Sequence, residues 1–150
     1  MSARDLTFYE RIAIQMEYAV PLIRDLQCSL GEQQVNAALE ERLRRQLEAA
    51  REAPAPEADM SRMEAGTELY AAGGALDYEI VASDAERFDL DVTRCGYAQL
   101  MEQLGARDIG HLLICNLDFA MAERSGTQLT RTQTCMQGAA FCDFRYRKRP

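Results

Sequence analysis

Hydrophobic positions recur with a helical period in the first third of the chain. Over residues 5–27, apolar side chains return every three or four positions, which predicts an amphipathic helix. Pro21 lies inside this pattern and is expected to kink the helix or divide it in two. Ser29 and Glu32 have the spacing of a capping box, which predicts a second helix that continues to about Arg51.

The pattern then breaks and changes its period. Alternating prolines at the start of residues 53–60 forbid a helix and predict an extended link. A short helix is predicted from Ser61 to the glycine pair that begins at Gly73. Apolar and polar residues alternate over 76–81 and 88–93, which predicts two half-buried strands joined as a hairpin.

The last third of the chain is predicted to hold two more helices and a second hairpin. The helices span 97–104 and Asp108–Arg124, and the strands span 128–135 and 140–147 around a turn at Gly138. Because all four strands lie in hairpins with short links, we expect an antiparallel sheet with helices on one face. The predicted fold class is therefore α+β.

One domain is expected to span residues 1–150. In this interpretation residues 1–52 form a helical layer that packs on the sheet, and 53–60 link it to the rest. Residues 61–150 form the α+β core and hold the functional site. A chain of this length buries enough apolar surface to fold without a metal or disulfide.

Charge narrows the range of partners. The 150 residues carry a formal net charge of -7, which argues against binding to nucleic acid or to an anionic membrane surface. No apolar run is long enough for a transmembrane helix, and the first residues lack the apolar segment of a signal peptide. We therefore expect a cytoplasmic protein. Lys148 is the only lysine beside many arginines, a composition that favours a bacterial source.

The cysteines are the first candidates for chemistry. Their number, five, is odd, so they cannot all pair as disulfides, and a reducing compartment leaves them as thiols. No Cys-x-x-Cys pair, phosphate-binding glycine loop or catalytic serine motif occurs, and we expect neither a metal nor another cofactor. Four cysteines cluster in the last part of the chain: Cys95, Cys115, Cys135 and Cys142.

The helix predicted over Asp108–Arg124 carries a polar stripe. Most of its circumference is apolar, which is typical of a buried helix. His111, Cys115 and Asp118 nevertheless share one narrow face. Buried polar groups need partners, so these three either hydrogen-bond within the core or face a pocket. A thiol with a base and a carboxylate nearby is one arrangement for nucleophilic catalysis.

Arg131 is the other unusual residue. It falls within a strand predicted to be central, where a buried guanidinium must find a carboxylate. Asp143 on the facing strand is one candidate partner, and a ligand is the other. We expect a cavity between the predicted helix and the terminal hairpin, into which Cys115, Asp118 and Arg131 point.

These motifs together resemble a known family. Cys95-Gly-Tyr, Cys115-Asn-Leu-Asp118, Arg131-Thr-Gln-Thr134 and Cys142-Asp-Phe occur in this order, with Gly138 four residues before the last motif. This order and spacing is similar to that of the L-2-amino-thiazoline-4-carboxylic acid hydrolase-like family over roughly residues 88–147. A fainter resemblance is to the V4R domain, a small-molecule-binding α+β module.

The first resemblance implies hydrolysis of a carbon–nitrogen bond in a small nitrogen heterocycle, such as ring opening of a 2-aminothiazoline carboxylate. It implies Cys115 as nucleophile, with Asp118 and His111 handling protons and Arg131 binding a substrate carboxylate. A rival mechanism uses Asp118 or Asp143 as the base for direct attack by water. The residues expected to contact the substrate are Cys95, Arg131, Thr132, Thr134, Cys142 and Asp143.

Three functions remain open from the sequence. The first is the hydrolase, the second is a non-catalytic V4R-like binding module, and the third is an assembly subunit that docks through its N-terminal helices. The expected partner is a small-molecule substrate, and a homo-oligomer is compatible with the sequence. The third function requires an exposed apolar patch and no pocket beside Cys115.

Overall fold

Two long helices form the N-terminal layer. In the computed structural model, which describes residue 2 and residues 5–150, α1 spans Phe8–Leu30 and α2 spans Glu32–Glu52. Residues 1, 3 and 4 of the predicted 1–52 layer lie outside the described residues. Thr7 caps α1 through a reciprocal capping box with Glu10.

Two details of this region refine the prediction. Of the two expectations for Pro21, a division of the helix is wrong, because α1 continues on both sides of Pro21. Pro21 is exposed, so water can reach the carbonyl that the missing N–H leaves free. Ser29 does not cap α2, because α1 extends past it and the chain turns at Gly31, whose φ of 92° lies in the left-handed region.

The middle of the chain follows the predicted pattern. Residues 53–59 form neither helix nor strand, as expected for a link, and α3 spans Met63–Ala71 before a short turn ends at Gly74. Strands β1 (Leu76–Ser83) and β2 (Arg87–Cys95) then form an antiparallel hairpin. Exposed and half-buried residues alternate along β1, as the period of two predicts.

The helix predicted over Asp108–Arg124 forms, but one wide turn interrupts its regular period. After α4 (Gly96–Gln103) come α5 (Arg107–Gly110), one wide turn and then α6 (Leu117–Arg124). The wide turn covers His111–Cys115 and is closed by the N–H of Asn116, which donates to the carbonyl of His111 (2.9 Å). This hydrogen bond joins residues five apart, as in a π-helix. The regular α-helical period, which placed His111, Cys115 and Asp118 on one face, therefore does not hold across the segment.

The terminal hairpin is also looser than predicted. Strand β3 is Thr127–Thr130 and pairs antiparallel with β4, Cys142–Lys148. The prediction of a strand through residue 135 is wrong, because residues 131–141 form a long loop that contains a helical turn at Cys135–Gln137. The sheet order is β1-β2-β4-β3, so β3 is an edge strand and Arg131 follows it rather than lying in a central strand.

The helices cover one face of this sheet, and the α+β fold class predicted from the sequence is confirmed. Helix α1 contacts α2, α3 and α4, while α2 packs on α6. The most deeply buried large side chains include Phe88 of β2, Met101 of α4, Ile109 of α5 and Met136 of the long loop. Within the described residues, none of the helices has the length and apolar character to cross a bilayer.

The extended link is held against the start of β3 by backbone contact. Gly126 precedes β3 with a φ of 80°, and a Cβ built there would lie 2.2 Å from the carbonyl oxygen of Pro56. The N–H of Arg149 donates to the Gly126 carbonyl (2.8 Å). Only glycine permits this approach of two backbones.

We expect Gly126→Ala to lower the free energy of unfolding much more than Gly105→Ala, measured by chemical denaturation. Gly105 has a similar φ of 64°, but a Cβ there has no neighbour within 4 Å. Gly105→Ala should therefore cost only the backbone strain, about 1 kcal/mol. Gly126→Ala adds a steric clash with the link and should cost roughly 2 kcal/mol more. Equal losses in the two variants would contradict the packing described for Pro56.

Candidate functional site

A cavity of about 510 Å³ lies between the helices and the sheet. Its floor comes from the inward faces of β2 and β4, where alternation places Cys142, Phe144 and Tyr146 on one side of the strand. Helices α1 and α3 and the segment from the wide turn through α6 supply the other walls. The volume is within the range typical of small-molecule sites.

An ion pair lies in the wall of this cavity. Nη1 of Arg131 donates to Oδ2 of Asp118 (2.8 Å). The Arg131 side chain is 3% exposed, whereas 27% of Asp118 is exposed. No other described residue donates a hydrogen bond to the Asp118 carboxylate, which also lines the cavity. One carboxylate oxygen is thus held by the guanidinium, and the other is free to meet a ligand.

Aromatic rings and backbone fix the guanidinium. Its carbon lies 5.0 Å from the ring centres of both Phe119 and Phe144. Nη2 donates to the Cys115 carbonyl (3.0 Å) and to Oδ1 of Asn116 (3.3 Å). The wide turn places these two acceptors beside Arg131, so the irregular helix and the ion pair depend on each other.

Burial changes the acidity of Asp118. Removal from water raises the pKa of its carboxyl to about 6, and the charge and hydrogen bond of Arg131 limit the rise. The carboxylate is therefore mostly ionised at pH 7 and mostly protonated at pH 5. A group that exchanges its proton in this range is suited to general acid–base catalysis.

Three cysteines line the cavity, and none is activated. Burial raises the pKa of the Cys115 thiol, and the neighbouring Asp118 carboxylate raises it further. Burial also raises the pKa of Cys95 and of Cys142. The Cys142 sulfur accepts a hydrogen bond from the backbone N–H of Cys135 (3.1 Å). These thiols are neutral near pH 7, because no nearby cation outweighs their desolvation.

The structure brings together most, but not all, of the predicted site residues. Cys95, Cys115, Asp118, Arg131, Thr134 and Cys142 all line the cavity. His111, Thr132 and Asp143 do not.

His111 lies in a separate, shallow depression beside Asp108 and Gln137, away from the cavity. Its Nδ1 is buried and makes no hydrogen bond to a described residue. The wide turn separates His111 from the stripe that the regular helical wheel predicted. The sequence contained no signal for this turn.

Asp143 holds the long loop instead of pairing with Arg131. Its carboxylate accepts hydrogen bonds from the N–H and hydroxyl of Thr132 (2.9 and 2.5 Å) and from the N–H of Gln133 (2.9 Å). Although burial acts in the opposite direction, these hydrogen bonds hold the pKa of Asp143 below its ordinary value. Thr132 is exposed, and its hydrogen bonds to Asp143 stabilise this loop.

Sequence reasoning missed the tyrosines of the cavity. Tyr97 donates its hydroxyl to the carbonyl of Tyr70 (2.9 Å), and the Tyr70 hydroxyl approaches the sulfur of Met121 (3.7 Å). Tyr146 also lines the cavity, and no described residue hydrogen-bonds its hydroxyl. Burial raises the pKa of Tyr146, so its hydroxyl stays neutral. Only the alternation along β4 pointed to an inward Tyr146.

Among the described residues, no group of three or more His, Cys, Asp or Glu side chains could hold a metal ion.

Comparison with known proteins identifies one family. The sequence matches the family of L-2-amino-thiazoline-4-carboxylic acid hydrolase over residues 11–146. No curated protein matches the sequence significantly. Among solved structures, a similar chain is the phenol-responsive sensory domain of the transcription activator PoxR with phenol. The two are 12% identical with a TM-score of 0.48, over 85% of this chain and 71% of that chain.

We expect the Asp118 carboxyl to titrate near pH 6 in carboxyl-carbon NMR, and Asp118→Asn to remove that signal. Arg131→Met should move the midpoint above 6, because Arg131 favours the ionised form. A midpoint near the ordinary value of about 4 for aspartate would contradict the described burial.

Stability should follow the same titration. Since the folded-state pKa is raised, the contribution of Asp118 to stability is fully present below its unfolded pKa of about 4 and is lost as pH rises through 6. Asp118→Asn should lack this decline, which denaturation at pH 4 to 7 would measure.

Proposed function

This chain belongs to the L-2-amino-thiazoline-4-carboxylic acid hydrolase family, and we propose that it hydrolyses a carbon–nitrogen bond in a small cyclic amidine. The family name indicates hydrolase activity. The observation that carries the proposal is the Asp118 carboxylate, which faces the cavity with one oxygen held by Arg131. An amidine presents N–H donors and an electrophilic carbon, and both complement such a group.

In the proposed reaction Asp118 is the general base. The amidine enters with its ring nitrogen protonated. The ionised carboxylate removes a proton from water as the water oxygen bonds to the amidine carbon, and the electron pair of the carbon–nitrogen double bond moves to the ring nitrogen. The carboxyl then returns that proton to the ring nitrogen, the bond between this nitrogen and the carbon breaks, and the hydroxyl left on the carbon releases its proton to the carboxylate as it becomes the carbonyl. The product is a ring-opened amine that carries a carbamoyl group, and no oxidant or other co-reactant is needed.

Arg131 acts as a positioning residue in this proposal. Both of its terminal nitrogens already donate within the protein, so it does not present an open fork to a substrate carboxylate. It orients Asp118 and keeps the pKa of the carboxyl from rising further. His111 takes no part, because it lies outside the cavity.

The alternative nucleophile is Cys115. In that mechanism the thiol attacks the amidine carbon while Asp118 accepts the proton, and a covalent intermediate is hydrolysed afterwards. We favour direct attack by water, because burial and the Asp118 charge both keep the Cys115 thiol protonated. The two mechanisms share a base and differ in the atom that attacks.

A second candidate function is non-catalytic binding of a small molecule. The largely apolar walls of the cavity favour it, since such a site can hold a ligand without reacting. Docking of an assembly subunit has less support. An apolar stripe on α1 is exposed, including Tyr18 and Leu22, but a cavity does lie beside Cys115.

We expect Asp118→Asn to lose ring-opening activity by at least 100-fold, while Cys115→Ala and Cys115→Ser stay within about tenfold of the unchanged protein, roughly 1.4 kcal/mol of barrier. Product formation from 2-aminothiazoline compounds, followed by mass spectrometry, measures both. Loss of turnover in Cys115→Ala, with trapping of a covalent adduct in the unchanged protein, would assign the attack to the thiol.

The pH profile tests the base separately. The rate should fall tenfold per pH unit below about 6, because protonated Asp118 cannot accept a proton. If every variant and the unchanged protein bind amidines but none opens them, the binding function replaces the hydrolase.

A further inference from the structure

The cavity is larger than the smallest substrate requires. A 2-aminothiazoline carboxylate has nine non-hydrogen atoms and would fill roughly 270 Å³ even at about 30 Å³ per atom, the volume that one water takes in the liquid. The cavity measures about 510 Å³. About half of it would remain for a further group on the substrate.

The lining that α1 and α3 contribute to the cavity is largely apolar. There the ring of Phe8 packs edge-on against Tyr70, with ring centres 4.4 Å apart. The hydroxyls of Tyr70 and Tyr97 are turned to partners within the protein. These tyrosines therefore offer ring surface to a ligand, and Ile12 adds aliphatic surface.

The charges of the cavity do not favour an anionic ligand. Its lining holds three carboxylates and two guanidiniums, and Arg131 is already occupied by Asp118. Arg62 lies at the mouth, where it is exposed beside Glu57 and Asp59. A carboxylate deep in the cavity would thus face Asp118 without a spare cation, and its desolvation would be uncompensated.

We infer that the substrate is a neutral or cationic cyclic amidine that carries an apolar, ring-sized substituent in place of a carboxylate. The amidine meets Asp118, and the substituent lies against Phe8, Ile12 and Tyr70. The amidine group in this inference rests on the proposed function. The apolar substituent is inferred from the volume and the lining of the cavity alone.

Binding and turnover are measured separately to test it. Calorimetric titration of the unchanged protein at pH 7.5 uses three probes: 2-amino-2-thiazoline, its 4-phenyl derivative and its 4-carboxylate. The 4-phenyl compound should bind at least tenfold more tightly than each of the other two. Equal or weaker binding of the 4-phenyl compound overturns the inference, whether or not any probe is hydrolysed. Tight binding of that compound without ring opening supports the inference and counts against the hydrolase.

A matched pair of variants locates the apolar subsite. Gly66 of α3 lines the cavity, and a Cβ there has no neighbour within 4 Å, so Gly66→Leu places a side chain in the open space. It should weaken binding of the 4-phenyl probe at least tenfold and change binding of 2-amino-2-thiazoline less than threefold. Ala65→Leu adds the same side chain at the neighbouring exposed position, which is not part of the lining, and should change neither.

Both substitutions are in a helix. The helix propensity of leucine is higher than that of glycine and close to that of alanine, so each variant should fold. If Gly66→Leu leaves binding of the 4-phenyl probe unchanged, the substituent does not lie against α3 and the inference fails.

Discussion

A guanidinium that is 97% removed from solvent must find a counter-charge, and this requirement at Arg131 governs the arrangement around it. Asp118 supplies the charge, the rings of Phe119 and Phe144 lie beside the guanidinium carbon, and the segment before α6 offers a carbonyl and an amide oxygen. Four of these partners lie within residues 115–119, and the fifth, Phe144, belongs to β4. Removing Asp118 or Phe144 would leave a buried charge with too few contacts, so helix, loop and strand are coupled at one point.

The sequence could predict the elements whose pattern depends on neighbours in the chain, but not those that depend on contacts between distant residues. Alternation along β1 and β2 predicted their hairpin, and the three-to-four spacing predicted α1 and α2, because these patterns depend on neighbours close in sequence. Cys115 and Asp118 were placed in the cavity wall for the same reason. The long loop at residues 131–141 was not predicted, because Asp143 binds the backbone N–H groups of Thr132 and Gln133, which lie eleven and ten positions earlier in the chain.

The position of His111 could not be predicted from helical periodicity. A regular wheel assumes one rotation per residue, and a single hydrogen bond from Asn116 changes that rotation within the segment. Arg131 donates to the Cys115 carbonyl and to Oδ1 of Asn116 beside this bond, yet it lies in a later loop and contributes nothing to the local pattern. Likewise, the aromatic wall of the cavity combines Phe8, Tyr70 and Tyr97, three residues from separate elements, and only the packed fold brings them together.

The reactive groups of the cavity and the wall opposite them come from different stretches of chain. The ion pair, the thiols of Cys115 and Cys142 and the wide turn all belong to residues 111–146, whereas the wall opposite comes from α1 and α3 in the first half of the chain. Changes in those two helices can reshape the room available to a ligand without touching the groups around Asp118. An ancestral chain could therefore diversify what it accepts while its reactive centre stayed the same.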